Sequence, residues 1–137
     1  MNPNRMLTTA SLLLVVLGTV HLAQDIVYGY EPGTTINLLI VPISVVWLYG
    51  TLFLAERRSG YIIILLGSLL SLVVPLVHMK GVKGVGVASR LAGSQGHFFF
   101  VWTLLALGVL GLFTVILSVR GLWSMPWRRS RESNMQT

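Results

Sequence analysis

The sequence predicts an all-α integral membrane protein, an up-and-down bundle of four transmembrane helices with both termini cytoplasmic. Three observations lead there. Of the 137 residues, 54% are hydrophobic and 10% charged, well under the roughly 25% charge of a soluble domain. The apolar residues gather in long stretches, each near the about 20 residues that a helix needs to cross a hydrocarbon core. Charged and aromatic side chains fall at the ends of those stretches, where membrane anchors belong.

Span one is expected over about residues 6–27. Arg5 precedes it, and the run resembles the apolar region of a secretory leader. It outlasts the roughly 7–15 residues usual there and no A-x-A site follows, so it reads as a retained helix. Tyr28 and Tyr30 form an interfacial aromatic pair, and Glu31, Pro32 and Gly33 a turn. Span two, about 36–56, closes on Glu56, Arg57 and Arg58. Only Ser59 and Gly60 then precede span three, about 61–78, which predicts a tight antiparallel hairpin. The longest connection, 79–96, is rich in glycine and carries Lys80, Lys83 and Arg90. Span four, about 97–119, is closed by Arg120. Residues 1–122 make the transmembrane domain. Residues 123–137, with Trp123, Trp127, Arg128, Arg129 and Arg131, are expected as a basic interfacial tail that moves freely.

The distribution of Lys and Arg sets the expected orientation. Arg5, Arg57, Arg58, Arg120, Arg128, Arg129 and Arg131 fall on one side, against Lys80, Lys83 and Arg90 on the other. The richer side stays cytoplasmic, which places the third loop outside a cell membrane, in the setting of a bacterial-type inner membrane. The net charge of +6 thus serves topology and contact with anionic lipid rather than nucleic acid. The absence of cysteine excludes disulfides, thiol redox chemistry and cysteine metal sites.

Alternating spans gather the titratable side chains at the outer end: His21 and Asp25 from span one, His78 from span three and His97 from span four. His21 and Asp25 are one helical turn apart and share a face. Ionisable groups within a span are costly and face the bundle interior. His21, His78 and His97 are therefore the candidate ligands of a haem or transition metal, with Asp25 orienting an imidazole or coupling protons. Gly67, Ser68, Ser71, Pro75 and His78 form a small or polar stripe on span three, a packing seam in which Pro75 frees a carbonyl and can open space beneath His78. Asn37, Ser44 and Thr51 line span two, and Gly111, Thr114 and Ser118 line span four. Phe98, Phe99, Phe100 and Trp102 read as lipid-facing or interfacial filling.

These features predict an accessory or assembly subunit of a larger membrane complex, in contact with lipid and with other subunits or copies of itself. A haem- or metal-binding bundle is the alternative, and a small oligomeric transporter or channel using His21 and Asp25 the second. No reaction is assigned: for a membrane enzyme acting on lipid, His21 with Asp25 is the one plausible acid/base pair, and no nucleophile motif accompanies it. Gly84, Gly86 and Arg90 lack the strand and the Lys-Ser or Lys-Thr ending of a phosphate-binding loop. Lys80, Lys83 and Arg90 are instead the expected contacts for lipid phosphate or a partner.

Overall fold

The computed structural model describes residues 3–29, 34–80 and 96–125, without the side chains of Ile36, Lys80 and His97. Every regular element among them is helical: α1 (Pro3–Val27), a 3-10 turn (Thr35–Leu39) leading into α2 (Ile40–Phe53), α3 (Arg58–Lys80) and α4 (His97–Ser124). Helices α1, α3 and α4 are long and apolar enough to cross a membrane, while α2 is shorter.

The ends of the elements follow from local chemistry. Helix α1 stops where Gly29 enters the left-handed region at φ 72° and gives its N–H to the Ile26 carbonyl at 3.1 Å. Helix α2 ends before the expected Glu56, because Leu54 leaves the helical region and Arg57 N–H closes a turn on the Leu54 carbonyl at 2.8 Å. Gly60 is required there, since the Leu54 carbonyl occupies the place of its missing Cβ. Glu56 and Arg57 consequently sit in the turn rather than on the helix. Helix α4 runs past Arg120 to Ser124, so Trp123 is helical and 85% exposed. The rest of the expected tail, 126–137, lies outside the described residues.

Neighbouring helices run in opposite directions. Trp47, late in α2, bonds Ser11, early in α1, and Tyr61 and Ile64 at the start of α3 form a cluster with Leu7 of α1, packed by Leu117 and Leu122 of α4 and by Met125 just beyond it. At the other end, His78 meets Asp25, and Phe100 packs against Val74. The α3–α4 pairing is the most extensive. The backbones of α2 and α4 do not approach closely among the described residues, and the two helices occupy opposite corners.

Spacing of three and four residues sets each inward face. Leu7, Ser11, Leu14, His21 and Asp25 are buried in α1, Tyr61, Ile64, Ser68 and Ser71 in α3, and Phe100, Leu104, Leu107, Thr114 and Ser118 in α4. Polar side chains thus point inward while Val16, Val45, Leu66, Val109 and Leu112 are more than half exposed. A water-soluble protein does the reverse; a lipid solvent accounts for the inversion, and the chain is a membrane protein.

Small residues admit close approach. The Trp47 indole lies against Gly67, on which any side chain would collide with the ring. Its N–H donates to Ser11 Oγ at 2.8 Å. Thr51 uses its hydroxyl proton on the Trp47 carbonyl at 2.8 Å, so Ser11 O–H donates to Thr51 Oγ1 at 2.8 Å. This closed ring satisfies three buried polar groups between α1 and α2. Ser68 and Thr114 return their hydroxyls to the carbonyl one turn earlier, at 2.6 and 2.7 Å.

Candidate metal centre

Three titratable side chains converge where the ends of α1 and α3 meet the start of α4. His21 and Asp25 are 3% and 4% exposed, carried inward by the α1 stripe one turn apart. His78 arrives from the last turns of α3. Asp25 Oδ2 lies 3.1 Å from His78 Nε2 and 3.6 Å from His21 Nε2. One donor atom from each of the three residues lies within 4.8 Å of the others.

Hydrogen bonding on the far side of each imidazole sets its tautomer. His78 Nδ1 is 2.9 Å from the Val74 carbonyl, which only accepts, so Nδ1 carries the proton. His21 Nδ1 is 3.4 Å from Thr103 Oγ1. The single Thr103 proton is directed to acceptors, Gln24 Oε1 at 2.8 Å and the Phe100 carbonyl at 2.9 Å. Its oxygen is left to accept from His21 Nδ1–H. Both rings then turn Nε2 toward Asp25; His78 Nε2, 3.1 Å from Asp25 Oδ2, carries a proton and donates it there when no cation is bound, and a bound ion would take that proton's place. Among the described residues, His21 Nε2 and Asp25 Oδ1 are buried without a hydrogen-bond partner, a costly arrangement that a water or an ion would relieve.

Phe100 walls the centre, its ring centroid 5.0 Å from that of His21 and 6.0 Å from that of His78. Tyr28 meets the far side of Phe100 edge-on at 6.2 Å. The expectation that Phe100 faces lipid is therefore corrected: it is fully buried, whereas Phe98, Phe99 and Trp102 are 68%, 63% and 61% exposed. A helix turns 100° per residue, so consecutive aromatics cannot share a face.

A cavity of ≈ 410 Å³ adjoins the centre between α1, α2 and α3. His21, Asp25 and His78 line one end, Leu14, Trp47 and Leu107 lie together away from them, and Thr19, Asn37, Ser44 and Ser71 complete the polar lining. Its origin is visible in the α1 stripe, where Gly18 stands between Leu14 and His21. A Cβ at Gly18 would meet nothing within 4 Å.

The structure brings together His21, Asp25 and His78 among the residues expected from sequence. His97 heads α4 and Lys80 ends α3, with side chains outside the described set; Lys83 and Arg90 lie outside the described residues altogether. Asp25 Oδ2 is nearer to His78 than to His21, so its carboxylate faces both histidines and not only its helical neighbour. Gln24, Phe100 and Thr103 were not anticipated. The signal for Gln24 and Thr103 was a polar residue within an apolar run.

Two neutral imidazoles and one carboxylate suit a divalent transition ion. They do not suit haem: the His21 and His78 rings touch edge to face, with centroids 4.8 Å apart at 71°, which leaves no slot for a macrocycle between them. The chain matches no protein-family model, no curated protein and no solved structure.

Proposed function

We propose that the chain is a four-span membrane bundle that binds one divalent transition-metal ion through His21 Nε2, His78 Nε2 and the Asp25 carboxylate. The observation that carries this reading is the shared direction of the donors, with both Nδ1–H groups anchored outward. Bound imidazoles are held in this way, by an acceptor on the nitrogen that does not touch the metal. Three protein ligands leave a position open, as in zinc centres that bind water or substrate. Calcium and magnesium prefer oxygen-only sets.

The fourth crossing is assigned to α2 with its 3-10 turn. At about 2.0 Å per residue in the turn and about 1.5 Å in the helix, the pair reaches roughly 31 Å, against a hydrocarbon core of about 30 Å. The bias of Lys and Arg then puts both termini in the cytoplasm and the centre near the outer face.

Transport has weaker support, since Leu14, Trp47 and Leu107 pack together below the cavity and separate it from the Ser11–Thr51 ring. An accessory or assembly role is compatible with a metal centre and is tested by copurification from gently solubilised membranes.

Purified full-length protein, stripped with chelator and reloaded, tests the metal reading. It should hold one zinc or cobalt per chain, and His78→Ala should abolish stoichiometric retention without loss of monodispersity. A monodisperse wild-type protein that holds no such ion sinks the proposal.

A further inference from the structure

We propose that the open coordination position receives the carboxylate of a single-chain fatty acid, whose alkyl chain lies in the cavity between α1, α2 and α3. This rests on the metal reading above and names the ligand class of the same centre. Three observations support it. First, the cavity of ≈ 410 Å³ has the size of a site for one small molecule, roughly 300–1,000 Å³. Second, its polarity is that of an amphiphile: the three donors stand at one end, and the remainder is mainly apolar, with Leu14, Val74 and Leu107 beside Thr19, Ser44 and Ser71, of which Thr19 and Ser71 give their hydroxyls to their own helix. A polar head at the centre therefore places an apolar body in the cavity.

Third, charge selects the head group. A divalent ion held by two neutral imidazoles and one carboxylate leaves a single positive charge in a buried site. One monoanionic oxygen donor neutralises it, whereas an alcohol or amide leaves it uncompensated in a low dielectric. A fatty acid supplies that charge, an oxygen ligand and one chain. The gap at Gly18 lies one turn from His21 on the inward stripe, so the first methylenes beyond the carboxylate pass through it.

Full-length protein loaded with cobalt, whose visible absorption reports its coordination, provides the test. Decanoate, acetate and methyl decanoate are the probes. Decanoate should change the cobalt spectrum at concentrations about tenfold or more below those acetate requires, because only its chain gains from burial in the cavity. Methyl decanoate, with the same chain and no anionic head, should not change it. Gly18→Phe fills the cavity without touching a ligand; it should keep one cobalt per chain and the acetate response while bringing decanoate to parity with acetate. Ser44→Phe, on the α2 wall of the same cavity, replaces it if that variant does not purify as a monodisperse species.

Cobalt bound with no decanoate response, or with decanoate and acetate equal in the wild type, overturns the fatty-acid inference and leaves the metal reading standing. Equal decanoate affinity in metal-free protein, measured by equilibrium dialysis, overturns it as well. Failure to bind cobalt at all overturns both.

Discussion

Replacing Thr103 with valine tests the centre through a residue that does not touch the ion. Thr103 Oγ1 lies 3.4 Å from His21 Nδ1, 2.8 Å from Gln24 Oε1 and 2.9 Å from the Phe100 carbonyl. Valine has nearly the same shape but neither accepts nor donates. His21 Nδ1–H would lose the Thr103 oxygen and keep Gln24 as its side-chain partner; a lost buried hydrogen bond costs up to about 1–3 kcal/mol, and a ring less firmly held moves its proton more readily to Nε2, the atom needed for coordination. Loss of such an outer partner weakens metal affinity by about 10–100-fold, equivalent to about 1.4–2.8 kcal/mol. A competition titration against a chromophoric chelator measures this directly. Thr103→Ser, which retains the hydroxyl, should recover most of the affinity. Unchanged affinity in Thr103→Val, or equal losses in the valine and serine variants, would refute the tautomer argument.

Gly67→Leu should lower stability in detergent by about 1–3 kcal/mol, the cost of overpacking, because the leucine must displace the Trp47 indole; a thermal unfolding midpoint equal to that of the wild type would contradict that packing. Ser11→Ala opens the hydrogen-bonded ring between α1 and α2 and should cost about 0.6–1.7 kcal/mol, the range of interhelical bonds in membranes, read from denaturant unfolding in mixed micelles. Metal affinity should not follow, since Ser11 lies ten residues before His21 on α1, about 15 Å along the helix. For topology, a cysteine introduced at Val85 should react with an impermeant maleimide in intact cells; labelling only after permeabilisation would invert the proposed orientation.

The helices were legible because an apolar run of about 20 residues has few other uses, and the hairpin because the connection is short, although the turn falls at 54–57 and Ser59 and Gly60, expected to form it, already belong to α3. His21 and Asp25 were legible from their four-residue spacing. His78 required only the step that alternating helices bring the ends of α1 and α3 together. The rotation of each helix was less accessible. Phe98, Phe99 and Phe100 are chemically identical, and only packing against Val74 and His21 distinguishes the buried one. The ends of α2 depend on backbone geometry at Leu54, which composition does not register. The cavity was least legible of all, since it arises from an absent side chain at Gly18 together with the placement of α2. Thr103 likewise gains meaning only when α4 sets it beside His21 and Gln24.

X-ray absorption at the zinc edge of the loaded, full-length protein most directly tests the claim that His21, Asp25 and His78 form a metal centre. The spectrum should show two imidazole nitrogens at about 2.0–2.1 Å and oxygen at about 2.0–2.2 Å, with one imidazole lost in His21→Ala and the carboxylate oxygen lost in Asp25→Ala. A first shell of oxygen alone, or a wild-type spectrum unchanged by both substitutions, would place the ion elsewhere and contradict the account.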